Sequence, residues 1–234
     1  MKKWEIGIVA EGVTDFMLLR SLLNHFLDCN CQLIQPETSE TQGFNGNQGA
    51  YGGGWKGVRA WCQNLTNDFE NLTDFFNKLN IDLLIIHIDA DVAREAEINC
   101  AKPCPPAQDT CEALAQCVMT WLGEPLINKK LVLCIPADNT EAWILATHDI
   151  QTAYHDPPNK PLECVNKPDM IISNQRYKNP RRLLKRKDGK AKKTRRDYQQ
   201  LIPVVLDNWE EVKRICKQAA QFEKDLKAKV GGIE

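Results

Sequence analysis

Carboxylates follow directly on apolar runs at three places in this chain of 234 residues: Ala10-Glu11-Gly12-Val13-Thr14-Asp15, Ile88-Asp89-Ala90-Asp91, and Ile135-Pro136-Ala137-Asp138-Asn139-Thr140-Glu141. The runs read as strands, and in an open parallel sheet neighbouring strands share one carboxyl edge, where ligands bind. Residues distant in sequence can converge there. Asp89 and Asp91 are two apart, so a turn beginning at Asp89 can bring both onto one cation. Hard oxygen donors of this kind suit Mg2+ or Mn2+, which keep several waters and bind substrate phosphates. Each cluster also has a plainer reading. Asp15 suits the positive end of a helix, Glu141 can close a capping box with Asp138, and an Asp-x-Asp recurs in phosphatases and glycosyltransferases. Glu11 closes a buried strand before Gly12 and has no cap to make. All three clusters, in this order and after these strands, point to a metal-binding edge.

The second chemical feature is a strip of charge. Between Arg176 and Arg196 stand twelve basic residues against Asp188 alone, so the strip carries +11 while the whole chain carries −1. Such density self-repels unless an anion covers it. The expected partner is a nucleic-acid backbone, met by Lys178, Arg181, Arg182, Lys185, Arg186 and Lys193, with Tyr177 and Tyr198 as flanking stacking groups. The acidic remainder of the protein, or another anionic partner, is the competing occupant. Lys178, Arg181 and Lys193 are candidates to reach a reacting phosphate.

These residues need a frame. Trp4–Ala10 reads as a first strand and Thr14–Leu27 as a helix, with Phe16, Leu19, Leu22, Leu23 and Phe26 on its core-facing stripe. Cys31–Ile34 is a short strand ended by Pro36. Gln42–Gly57, with seven glycines, reads as a mobile loop, and Val58–Leu79 as one helix. Ile81–Ile88 and Leu131–Ile135 have the near-continuous apolarity of buried parallel strands. A capping box at Asp109 to Glu112 opens a helix to Leu122, and a further helix begins near Asp138. After Pro157 the chain turns Pro-rich, then basic, then helical from about Ile202 to Val230. The fold class is α/β: a mostly parallel, Rossmann-like sheet flanked by helices, with a basic and mainly helical C-terminal extension.

Glu11-Gly12-x-Thr14-Asp15 after a first strand, Asp89-x-Asp91 after a central one and the Pro136–Trp143 segment together resemble a TOPRIM domain. The likeness is to the OLD-type nucleases and to compact bacterial TOPRIM-like proteins. It covers roughly residues 1–150, leaving 151–234 as the basic helical extension expected to pack on that catalytic domain. The resemblance implies that Glu11 is a metal ligand or general acid/base, and that Asp89 and Asp91 are the metal-binding pair. It further implies that Asp15 and Glu141 are additional acidic ligands. The catalytic residues would be Glu11, Asp89 and Asp91, and the cofactor Mg2+ or Mn2+, expected as two ions. Two cations can activate a water and stabilise the leaving oxygen of an in-line phosphodiester displacement. The activity implied is a metal-dependent nuclease acting on DNA or RNA, with a role in phage or mobile-element defence by analogy. OLD-like nucleases commonly work with an ATPase domain. A separate regulatory protein, an ATPase among the candidates, is therefore expected, and a homodimer is a further option. The alternatives are a HAD-type phosphatase using Asp89-x-Asp91, and a nucleic-acid-binding subunit without activity.

Several other signals carry less. Tyr154, Tyr177 and Tyr198 have no context that marks an activated nucleophile, and no G-x-x-x-x-G-K-[ST] is present. Cys100, Cys104, Cys111 and Cys117 lack both zinc spacing and a histidine, so zinc is not expected. His87 reads as a strand residue. The N-terminus superficially resembles a signal peptide, but Glu5 interrupts its apolar run, and Glu11 and Asp15 stand where a cleavage site would be. With ten cysteines and no apolar run of ~18 residues, the expectation is reduced thiols in a cytoplasmic protein with no membrane span.

Overall fold

The structure, a computed structural model, describes residues 2–36, 51–125, 128–148, 160–173 and 183–231. The chain divides into two compact units. The first takes Met1–Ile88, Leu114–Cys134 and Lys224–Glu234, and the second takes Asp89–Ala113 and Ile135–Glu223.

The first unit is an α/β sheet structure. Strands β1 (Trp4–Val9), β2 (Cys29–Gln35), β3 (Leu83–His87) and β4 (Leu131–Cys134) form one sheet in the order β2-β1-β3-β4. All three pairings are parallel, with Ile6 opposite Cys31 and Leu83, and Ile85 opposite Val132. Every residue of β3 is buried, as its unbroken apolar run requires of a central strand. The chain steps from β1 outward to β2, then returns past β1 to β3. The direction therefore switches between β1 and β3, whose carboxyl ends run into Glu11 and into Ile88, the last residue of this segment. Gly7 sits in a tight place, since a Cβ there would lie 3.0 Å from Ile81 Cδ1 and 3.2 Å from Ile34 Cγ1.

Helix α1 (Val13–Phe26) buries Asp15, Leu18, Leu19, Leu22 and Leu23, the i, i+3, i+4, i+7, i+8 stripe of a core-facing helix. The glycine-rich segment and the long helix after it differ from expectation. Residues 37–50 lie outside the described residues, but Gly54–Gly57 is helical and opens α2 (Gly54–Asp68). The single helix expected over Val58–Leu79 is two. Phe69 is extended, Asn71 accepts the Asp74 N–H at 3.0 Å, and Asp74 accepts the Glu70 N–H at 3.1 Å. That reciprocal cap starts α3 (Leu72–Leu79), which Asn80 ends in the left-handed region.

The second unit begins with a 3-10 turn, Ala90–Arg94, and carries the start of α4 (Gln108–Leu122), α5 (Glu141–Ala146) and a short helix Pro168–Ile172. The C-terminal helical region starts earlier than Ile202. Thr194 accepts the Asp197 N–H at 3.2 Å and opens a helix over Arg195–Asp207. Trp209–Ile215 and the start of Lys217–Gly231 follow, the latter helix running on past Glu223, where this unit ends. Trp143 is the centre of this core, with its ring 5.5 Å from Trp209 and stacked at 6.3 Å on Phe222. The strip also holds a hairpin: β5 (Lys185–Lys187) pairs antiparallel with β6 (Lys190–Lys192). Asp188 and Gly189 both have positive φ, the conformation that a two-residue Asp-Gly turn favours.

The expectation of reduced thiols is corrected at one pair. Cys104 and Cys164, 60 apart in sequence, have Cα atoms 5.6 Å apart and form a disulfide, while the other eight cysteines are thiols. Only the folded path of the second unit brings those two together. Among the described residues no helix is long and apolar enough to cross a membrane.

Candidate functional site

The second unit gathers its carboxylates where the chain has just left β3 and β4. Asp89 is extended, and the 3-10 turn that follows turns the chain back. Two backbone bonds fix this turn to the segment after β4: Ala90 N–H donates to Pro136 O at 3.1 Å, and Asp91 N–H donates to Asp138 O at 2.9 Å. A third bond, Thr140 N–H to Asp89 Oδ1 at 3.3 Å, fastens the Asp89 side chain to the same segment. Asp138 has a φ of 58°, which sets it apart from a helix cap. Its carboxylate is held by two partners, with Oδ1 2.6 Å from Arg94 Nη2 and Oδ2 accepting the Lys167 N–H at 2.7 Å.

The electrostatics follow from this crowding. Burial pushes the Asp91 carboxyl up to about 7, with the Asp89 and Asp138 carboxylates adding to the rise and Arg94 and Lys193 opposing it. Burial also raises Asp138, against the pull of the Arg94 guanidinium. Asp89 and Asp138 are 7% and 5% exposed, so little water is available to spread this charge.

Glu141 occupies the first turn of α5 and is fully buried. Its carboxylate lies 2.8 Å from Lys193 Nζ and accepts the Tyr198 hydroxyl. It therefore closes no capping box with Asp138. Tyr198 is corrected as a stacking group: it is 0% exposed, on the inner face of helix Arg195–Asp207 with Leu201, Ile202 and Val205.

Of the sequence-derived site residues, Asp89, Asp91 and Glu141 thus stand in one unit, together with Asp138, Arg94 and Lys193. Glu11 and Asp15 belong to the first unit. There Asp15 is buried in the first turn of α1, and the Glu11 carbonyl accepts the Gly54 N–H at 2.8 Å. Among the described residues no group of three or more His, Cys, Asp or Glu side chains is placed to hold a metal ion unaided. Lys185, Arg186 and Lys193 are described, whereas Lys178, Arg181, Arg182, Tyr154 and Tyr177 lie outside the described residues. In the hairpin Lys185 faces Lys192 and Lys187 faces Lys190, like charges directly opposite on an exposed ribbon. His87 is buried in β3, and burial pushes the Cys111 thiol up to about 12.

Sequence reasoning did not find Arg94 and treated Asp138 only as a helix cap. No spacing rule links Arg94 to a carboxylate 44 residues away, because the pairing depends on how two strand exits are laced together. The hairpin did have a signal, the Asp188-Gly189 pair between two short runs.

No protein-family model, curated protein or solved structure matches the chain.

Proposed function

We propose that this chain is a Mg2+-dependent enzyme that cleaves phosphodiester bonds in nucleic acid, on a TOPRIM-like fold. The observation that carries the reading is Asp91, a partly buried carboxyl crowded by Asp89 and Asp138 and holding its proton up to about pH 7. Such crowding destabilises the ionised form unless a cation shares the site.

The donor set fits Mg2+. All its donors are hard oxygens, and this ion commonly takes one or two carboxylates and fills its remaining positions with water and substrate phosphate. Asp89 and Asp91 would hold it, so no all-protein cage is required. Asp138 is committed to Arg94 and to Lys167 N–H, and acts as a brace for the turn. Bound Mg2+ supplies Lewis-acid polarisation of a phosphoryl oxygen and a lowered pKa for a coordinated water.

The rest belongs to the chain. Glu141 fixes Lys193, whose positive charge also acts on Asp91 and is suited to a phosphate oxygen. The exposed hairpin runs directly into Lys193, so a polyanion following Lys185–Lys192 would be led toward that ammonium. The opposed lysine pairs support this reading, because an anion relieves their repulsion. Glu11 and Asp15 rest on the sequence resemblance alone.

The test is incubation of purified protein with single- and double-stranded DNA and RNA under Mg2+, Mn2+ and EDTA. Cleavage that requires metal and is lost in both Asp89→Asn and Asp91→Asn is expected. Undiminished cleavage in EDTA would overturn the assignment.

A further inference from the structure

The second unit holds a cavity of about 270 Å3 whose walls include Ala90 and Ala137, the neighbours of Asp89 and Asp138. We infer that this cavity is a subsite for a single nucleotide of the substrate, an inference that rests on the nuclease reading. The volume is slightly below the ~300 Å3 at which small-ligand pockets usually begin, which suits one nucleotide and excludes a folded stretch of polymer.

The lining divides by chemistry. Ala90, Ala107 and Ala137 give small apolar surfaces against which a flat ring can lie. Arg94, Lys102 and Lys160 supply cationic groups, against Asp138 and Glu163. Three cationic side chains against two carboxylates leave the lining with a net positive charge that a phosphate would meet.

The walls are held in place before any ligand arrives. Cys100 and Ala101 donate backbone N–H bonds to Ala93 O at 3.0 and 3.1 Å, tying the Lys102 segment to the acidic turn. Lys102 N–H donates to Thr110 Oγ1 at 2.9 Å, which fixes the backbone at that lysine. Cys104 and Cys164 both line the cavity, and their disulfide ties together two lining segments 60 residues apart in sequence. Glu163, also in the lining, accepts the Gln218 N–H on Oε1 at 2.7 Å. Preorganised walls lower the entropic cost of binding a small ligand.

The experiment is calorimetric titration of the full chain with thymidine and adenosine 5′-monophosphate in EDTA, with inorganic phosphate as the comparison. The expected result is that both nucleotides bind without metal, at least about tenfold more tightly than phosphate. Lys102→Ser with Lys160→Ser should weaken nucleotide binding about tenfold or more, and Ala107→Trp should abolish it by filling the recess. Nucleotides that bind no better than phosphate, or equally well in the double lysine variant, overturn the subsite. Should Ala107→Trp fail to fold, the double variant decides alone. The two readings separate cleanly. Nucleotide binding without nuclease activity removes the nuclease reading and keeps a nucleotide site. Metal-dependent cleavage without nucleotide binding does the reverse.

Discussion

The acidic turn and the basic hairpin of the second unit both crowd like charges, and the surroundings make the consequences opposite. At Asp89, Asp91 and Asp138 burial itself raises the proton affinity of Asp91, and the neighbouring carboxylates add to the rise. At Lys185–Lys192 the opposed lysines stand in solvent, where water and salt screen them. The first arrangement is therefore suited to one tightly held small cation. The second is suited to a long polyanion, bound loosely and in a salt-dependent way. Charge sign alone does not separate these roles; burial does.

The sharpest way to break the comparison is at the acidic turn. Asp89→Asn and Asp91→Asn should each lower metal-dependent cleavage by about a thousandfold, while the far-ultraviolet dichroism stays native. Full activity in both at saturating Mg2+ would remove the metal assignment.

Stability should move the other way in metal-free protein. The folded state raises the Asp91 pKa above its ordinary 3.8, so the fold favours the neutral acid. The stability associated with this group is fully present below about pH 4 and is lost as pH rises through about 7. Asp91→Asn should remove that loss, stabilising the apo protein at pH 8 by up to about 4 kcal/mol. Melting curves in EDTA at pH 5 and 8 measure it. A variant that melts below wild type at pH 8 would show that the turn is not under charge stress.

A third variant probes the join between the two regions. Lys193→Met removes the ammonium that faces buried Glu141 and should cost about 3 kcal/mol, read by urea denaturation. Adding Glu141→Gln should recover part of that loss, because the carboxylate left behind is no longer charged. If the double variant is no more stable than Lys193→Met, the pair is not what holds this part of the unit.

The smallest effect is expected at the hairpin. Replacing Lys185, Arg186, Lys187 and Lys190 with Ser should leave the melting temperature nearly unchanged. It should flatten the plot of log affinity against log salt by ~0.7–0.9 for each phosphate that is no longer neutralised. An unchanged slope would show that the ribbon faces something other than nucleic acid.

Much of the frame was legible because it depends on local pattern. The apolar runs at Trp4–Val9, Leu83–His87 and Leu131–Cys134 are short and rich in Ile, Val and Leu, as strands are, and the stripe from Leu19 to Leu23 marks a helix. The carboxylates at the ends of β3 and β4 were legible for the same reason, since strand ends can be read from composition. What was not legible depends on small local energies or on long-range closure. One asparagine cap at Asn71 divides what periodicity reads as a continuous helix. Tyr198 looked like part of an exposed basic strip, yet the Thr194 cap starts a helix that turns it inward onto Glu141. The Arg94–Asp138 pair requires two strand exits to meet, and no window of sequence contains both.

The Cys104–Cys164 bond gives the second unit a covalent short cut across 60 residues. A protease that nicks the stretch between them would yield two pieces that migrate together on a non-reducing gel and separate once dithiothreitol is added. The same shift, followed against digestion time, would report what fraction of the protein carries the crosslink in any given preparation.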